Sequence, residues 1–276
     1  IVWLLAPWCW RQVPWDILKE KKVVCSVHHE VPDKFTGNKM AEFLDRDMIV
    51  DQYIVPCQQT HDFISKYTDK PISIIGYWWN SEIWFPSSPS EKFETRKKLD
   101  IPNNDFVIGS FQRDTEGGDL KTPKLEKGPD IFCDYVKMLS DLNGERNIHV
   151  LLGGWRRQYV INRLSKDNIR FTYCEFPPLS DLRAMYSVCD LYVSTSRYEG
   201  GPQCLFEATA TRINLISSNV GMASDCVDEC CIVDDFSAET SFRELSNRHI
   251  ELNAKKIKNF ELKCHIRNYD KFFERV

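Results

Sequence analysis

Between residues 105 and 220, five short runs rich in β-branched and apolar residues alternate with segments of helical spacing. The runs are FVIGSF (106–111), IHVLLGG (148–154), IRFTYC (169–174), DLYVSTS (190–196) and INLISS (213–218). Ile131, Tyr135, Leu139 and Leu142 share one face of a helix predicted over 128–142, and DLRAMYSV and CLFEATA supply further helical segments. Strands separated by helix-length crossovers pair in parallel, so this stretch predicts a doubly wound, Rossmann-like α/β domain.

A less regular alternation precedes it: VVCSV (23–27), MAEFLDRDM, QYIVP, THDFISKY and ISIIGYW (72–78). From Phe85 to Asn104 the composition shifts to prolines, serines and a charge run, the pattern of a linker carrying a short solvated helix. The expected organisation is a Rossmann-like domain over 1–86, a linker over 87–104, a second Rossmann-like domain over 105–258 and a terminal amphipathic helix over 259–276. The whole of 237–276 reads as polar and helical.

Hydrophobic residues make up 42% and charged residues 28% of the 276 residues, and the net charge is −4. That is the composition of a globular chain with no overall field to attract nucleic acid, so an anionic ligand must be held by a local arrangement of charges. The opening IVWLLAPWCW has no basic n-region and only a short apolar run, so neither a signal peptide nor a membrane span is expected there. It reads as a buried strand entering an aromatic loop, and a start at Ile1 reads as missing sequence upstream.

The eleven cysteines are scattered, odd in number and without a zinc-like CxxC pair, so buried thiols in a reducing, cytoplasmic setting are expected. Cys226, Cys230 and Cys231 cluster most tightly, with no histidine nearby in sequence, and no metal site is expected.

In an open parallel sheet the ligand sits beyond the carboxyl ends of the strands. The loop expected after FVIGSF carries Gly109, Ser110 and Arg113, and Lys127 stands just before Gly128 and a helix start. Two fixed cations there suit a diphosphate. Asp114, Glu116, Asp119 and Glu126 lie in the same stretch, so the residues alone fit a solvated loop as well.

RYEGGPQCLFEA (197–208) is more specific. Glu199 ends a strand, Gly200 and Gly201 permit close approach, and Pro202 suits a first helical turn. The amides of Gln203, Cys204 and Leu205 would face an anion, a placement that contributes roughly 0.3–1 kcal/mol. Carboxylates suit hydroxyls rather than phosphate, so Glu199 at the mouth and Glu207 more than a turn into the helix are expected to bind hydroxyls.

The pattern S-x-x-E-G-G-P-x-x-x-x-E-A resembles the E-x7-E signature of family 4 glycosyltransferases. GSFQRD, EKGPD, LLGG and DLRAMYSVCDLYVS accompany it in the family's order, as do INLISSNVGM after it and SVHHEVP and IIGYWWNSEIWFP upstream. The resemblance implies a GT-B fold, two Rossmann-like domains facing across a cleft, and a retaining transfer from a nucleotide-diphosphate sugar. It implies that Arg113 and Lys127 grip the diphosphate, Glu207 the ribose and Glu199 the donor sugar. Gly201, Pro202, Gln203, Cys204 and Leu205 would lie at the sugar and phosphates, and Tyr173, Cys174 and Phe176 would border the base. His28 would face the sugar from the first domain, and His29 replaces a frequent aspartate.

No cofactor is implied and a metal is usually unnecessary; in the family's proposed front-face reaction the departing phosphate oxygen itself can take the acceptor's proton. GDP-mannose is a slight favourite as donor, with UDP-glucose or another UDP-sugar next. The resemblance leaves open a glycan, lipid or protein-linked acceptor and a homodimer, and it implies a terminal helix crossing back to the first domain. That domain is short for the family and lacks the usual early glycine-rich loop, since the first glycine is Gly37. An idle nucleotide-sugar-binding protein, or a nucleotide-sugar epimerase on the same fold, are the rival readings.

Other features read as structural. Asp45-Arg46-Asp47 resembles the DxD of metal-dependent transferases but follows a helical segment, so exposed surface charge is expected. His61, His149, His249 and His265 are expected to be structural or exposed, and Tyr77, Trp78 and Trp79 read as packing the domain interface in preference to contacting an acceptor.

Overall fold

The computed structural model describes residues 1–142, 147–236 and 245–276. Its first sheet contains β1 (Val2–Leu4), β2 (Val23–Ser26), β3 (Gln52–Val55) and β4 (Ile72–Ile74), parallel and in sequential order. Helices α1 (Trp15–Glu20), α2 (Asn38–Asp47) and α3 (Gln58–Ile64) lie in its connections. The opening segment differs from expectation: β1 is an edge strand with Leu4 buried but Ile1 and Leu5 exposed. The strand expected over 72–78 stops at Ile74, because the chain then leaves the sheet and the Tyr77 amide turns to Met222 Sδ (3.2 Å).

Helix α4 (Pro89–Lys98) starts at a capping box in which Ser88 and Glu91 satisfy each other's backbone amides. It is fastened to the second sheet rather than freely solvated. Arg96 donates to the carbonyls of Asp105 (3.1 Å) and Val188 (3.2 Å) and to Asp190 Oδ2 (2.9 Å).

The second sheet contains β5 (Phe106–Ser110), β8 (Ile148–Gly153), β9 (Arg170–Cys174), β10 (Leu191–Ser194) and β11 (Asn214–Ser217). All are parallel, in the order β11-β10-β5-β8-β9. A hairpin the sequence did not indicate, β6 (Thr115–Glu116) with β7 (Thr122–Pro123), projects after β5. Helices α5 (Pro129–Leu142), α6 (Gln158–Lys166), α7 (Leu179–Ser187) and α8 (Gln203–Ala210) cover the faces, followed by α9 (Ala223–Cys226), α10 (Asn247–Lys256) and α11 (Leu262–Phe273). The part of the expected terminal helical region at 237–244 lies outside the described residues.

Alternation along the strands divides the second core into two layers. Val107, Leu151, Tyr192 and Leu215 enter one cluster, and Ile108, Val150, Leu152, Val193 and Ile216 enter the other. Both faces are therefore buried, which explains the nearly continuous apolar runs.

The two sheets meet carboxyl end to carboxyl end. Gly200, beyond β10, is so close to the residues after β2 and β3 that a Cβ there would lie 1.7 Å from the His28 carbonyl oxygen and 2.8 Å from Pro56. The architecture is thus α/β, with two parallel sheets facing across a cleft. At the far side α11 packs on the first sheet: Phe272 joins Val24, Ile54 and Ile75, and the Trp3 ring meets Tyr269 tilted (5.5 Å) and Phe273 edge-on (5.0 Å).

Candidate active site

In the second sheet the order reverses between β5 and β10, which are neighbours although the chain visits β8 and β9 between them. Connections diverge at such a point and leave a crevice at the strand ends. Arg113 follows β5 into this crevice and Glu199 follows β10. In the first sheet the sequential order has no reversal.

Lys127 reaches Glu199 because of the residue after it. Gly128 is left-handed (φ 61°), and a Cβ on it would lie 1.8 Å from the Thr195 carbonyl oxygen, so the start of α5 is pressed onto the end of β10. Thr195 Oγ1 donates to the Gly128 carbonyl (2.7 Å), and the Arg197 amide donates to the Glu126 carbonyl (2.9 Å). Thus stitched, Lys127 Nζ lies 2.5 Å from Glu199 Oε1, which also accepts from Ser196 Oγ at 2.9 Å. The expected separate grips on phosphate and sugar are here joined in one ion pair, in which Glu199 aims the ammonium.

Arg113 is half-buried. Its Nε donates to the Thr115 carbonyl (2.9 Å) and its guanidinium lies 5.1 Å from the Trp155 ring centroid. Among the described residues its two terminal nitrogens make no hydrogen bond. Lys124 adds a third cation: burial, with Lys127 and Arg113 close by, pulls its ammonium below the ordinary lysine range despite Glu126.

Gly109 and Ser110 are not loop residues. They end β5, and Gly109 is required because a Cβ would come 2.6 Å from Cys189 Sγ. Ser110 is buried, and both its carbonyl and its hydroxyl accept from Arg157, the latter at 3.1 Å.

Beyond Gly201 the chain enters α8 with Pro202 as its N-cap. Gly201 packs against Tyr77 and Met222, which leaves no room for a side chain. The Leu205 amide is not free, since it donates to the Pro202 carbonyl (3.0 Å). Gln203 and Cys204 occupy the first-turn positions whose amides lack intrahelical acceptors. Gln203 also donates its side-chain amide across the cleft to the Trp78 carbonyl (2.8 Å). Glu207 lies further along α8, accepts from the Tyr186 hydroxyl (2.7 Å) and is pushed by burial up to about 7.

Residues 91–246 match the family of glycosyl transferases group 1. The chain belongs to that family. No curated protein matches the sequence significantly. Solved structures share the fold at low identity. HepE of Anabaena, in complex with UDP and glucose, superposes with a TM-score of 0.75 at 14% identity, over 93% of this chain and 72% of that one. Sucrose-phosphate synthase of Thermosynechococcus elongatus gives 0.69 at 14% identity, over 95% and 70%. A glycosyltransferase of Rickettsia africae gives 0.70 at 17%, over 92% and 70%.

Within this group 1 member the first-domain histidines divide their work. His28 Nε2 meets the Leu5 carbonyl (2.8 Å), which can only accept, so Nε2 carries the proton and Nδ1 accepts from the Tyr77 hydroxyl (2.7 Å). Both ring nitrogens are thus engaged within the chain. His29 borders two cavities of the cleft, and burial lowers its imidazole pKa, with Lys127 and Lys124 adding to that against the pull of Glu199.

Tyr173 and Cys174 end β9, and Phe176 follows, 68% exposed and left-handed (φ 49°). It stacks near Trp155 (6.4 Å, 28° between planes), which also has the Arg156 guanidinium 4.3 Å from its centroid. Trp155 was missed from sequence, although an aromatic directly after LLGG is the signal that marks it.

Arg157 was missed too, and it organises the crevice. It is 1% exposed, binds Asp114 Oδ2 at 2.5 Å, and donates to the carbonyls of Ser110 and Gly153, the latter at 2.8 Å. The ends of β5 and β8 and the root of the Arg113 loop are held by this one side chain.

Near Cys230, Asp228 and His249, the latter distant in sequence, bring ligand atoms within 4.8 Å of its sulfur and of each other. Both acceptors already cap a helix start, as Asp228 accepts from the Cys230 amide and His249 Nδ1 from the Ser246 amide (3.1 Å). No helix among the described residues is long and apolar enough to cross a membrane.

Proposed function

We propose that this chain is a family 4-type retaining glycosyltransferase that moves a sugar from a nucleotide-diphosphate sugar to an acceptor hydroxyl. The observation that carries the reading is the gathering of Arg113, Lys124 and Lys127 with Glu199 at the reversal between β5 and β10, one helical segment from Glu207. Breaking the bond from the anomeric carbon to the phosphate oxygen leaves growing negative charge on the diphosphate. Preorganised cations and first-turn amides of α8 stabilise that charge more than the ground state. The acceptor oxygen bonds to the anomeric carbon on the same face, and its proton passes to the departing phosphate oxygen. Glu199, holding Lys127 while offering its second oxygen, orients the sugar, and Glu207 binds the ribose.

GDP-mannose is the donor the sequence favours slightly, and UDP with glucose is what the HepE structure holds. Both belong in a calorimetric panel of nucleotide-sugars. Replacing Arg113 or Lys127 by alanine should lower kcat by roughly a hundredfold or more while the chain still folds, with the product retaining the donor's anomeric configuration by NMR. Normal turnover in both variants would sink this mechanism.

A further inference from the structure

A cavity of about 440 Å³ lies between the first-sheet elements and the loop after β5. Arg46, Lys39, Glu30 and Trp8 border it on one side and Lys124 and Glu126 on the other. The sequence reading of Asp45-Arg46-Asp47 as surface charge fails at its centre. Asp45 is exposed and Asp47 accepts from Tyr53 (2.9 Å) and Thr68 (2.7 Å), whereas Arg46, in the last turn of α2, is only 3% exposed.

A buried guanidinium is ordinarily paired with an anion. Arg46 is not: its Nε and Nη2 are buried without a hydrogen-bond partner, and no carboxylate among the described residues comes within 4.0 Å of it. Its contacts are the Phe43 ring (5.0 Å), the Cys25 thiol and a long hydrogen bond from Nη1 to the Pro7 carbonyl (3.4 Å). Burial pushes the Cys25 thiol up to about 12, so the thiol stays neutral and supplies no counter-charge.

Elsewhere around the cavity the charges are largely matched. Lys34 pairs with Glu126 (2.9 Å) and Glu116 (3.7 Å), Lys124 lies 3.7 Å from Glu126, and Glu42 lies 3.8 Å from Arg11. Glu30 remains, and burial raises its carboxyl toward the neutral form, against Lys39 and Arg46. Arg46 and Lys39 outnumber this one carboxyl, and among the described residues neither cation makes an ion pair within 4.0 Å. A ligand oxygen that takes the Arg46 donors displaces only the weak contact to Pro7, on the segment that also carries the exposed Trp8.

We propose that this cavity is the acceptor subsite of the transfer inferred above, on which reading it rests, and that its acceptor carries an oxyanion held by Arg46 and Lys39. Phosphate and carboxylate share the chemistry a guanidinium recognises, and the test separates them.

The full chain is titrated calorimetrically with methyl phosphate, methyl glucuronide and the neutral methyl glucoside. At least one oxyanion should bind roughly tenfold tighter than the glucoside, the range of a charge-assisted hydrogen bond. Preference for methyl phosphate identifies a phosphorylated acceptor, and preference for the glucuronide an acidic sugar. The preference should vanish in Arg46→Lys and fall in Lys39→Gln but persist in Lys127→Ala. Should Arg46→Lys unfold, the exposed Lys39 position decides. Equal binding of all three probes overturns the proposal, as does a preference that depends on Lys127 and ignores Lys39, because the oxyanion then sits at the donor's phosphates. Parallel titrations with UDP-glucose and GDP-mannose keep the two readings apart. Donor binding without oxyanion preference removes the subsite alone, and oxyanion preference without donor binding removes the donor reading.

Discussion

Glu207 accepts one hydrogen bond, from Tyr186, and burial holds its carboxyl at about 7 against an ordinary 4.5. Between those values the folded chain keeps a proton that the unfolded chain has released. This group therefore makes the fold less stable as pH rises from 4.5 to about 7. Ribose hydroxyls donate to the ionised form, so nucleotide-sugar affinity should strengthen across the same titration. From pH ~6 to pH ~8 the ionised fraction rises about tenfold, and the affinity for UDP-glucose should rise with it. Calorimetry on Glu207→Gln should show a flat profile; a slope equal to that of the unaltered chain would remove the assignment. The acid itself was legible in RYEGGPQCLFEA, but its titration was not, because the burial comes from Tyr186 and α8's neighbours. The same holds for His28 and His29, adjacent in sequence, where only the contacts to Leu5 and Tyr77 show which ring is engaged.

At the scale of elements, the strands were readable because a sheet buried on both faces demands apolar runs, and the connections between them were not. Asp114 read as part of a solvated loop, since charge in a sequence does not distinguish an exposed carboxylate from one whose partner arrives 43 positions later. Arg157 is that partner, and removing it strands a buried carboxylate. Arg157→Ala should cost about 3–5 kcal/mol in urea unfolding, and adding Asp114→Asn should restore part of the loss. Additive losses in the double variant would show that the two side chains act separately. The β6–β7 hairpin escaped notice for a related reason, as its strands are two residues each and carry no periodicity.

For the whole molecule, closure of the cleft depends on backbone contact at the signature itself. Gly200 rests on the His28 carbonyl, Gly221 N donates to Gln59 Oε1 (2.8 Å), and Lys34 spans the cleft to Glu126. Gly200→Ala should wedge the halves apart, lowering turnover and raising the radius of gyration in small-angle scattering with the second sheet still folded. An unchanged radius and rate would mean that the closed contact is dispensable. Trp79 joins the halves as well, donating its indole N–H to the Ile257 carbonyl (2.8 Å).

Local pattern in the chain was sufficient for the two-sheet α/β organisation and for the residues at the β5 and β10 strand ends, because strand periodicity and glycine-proline turns are short-range properties. The pairing of those residues is long-range. That Lys127 meets Glu199, that Arg157 holds the β5 loop, and that Arg46 is buried without a counter-ion are consequences of how the sheets and helices pack, and burial alone decides whether a charge is solvent-facing, paired or left to a ligand.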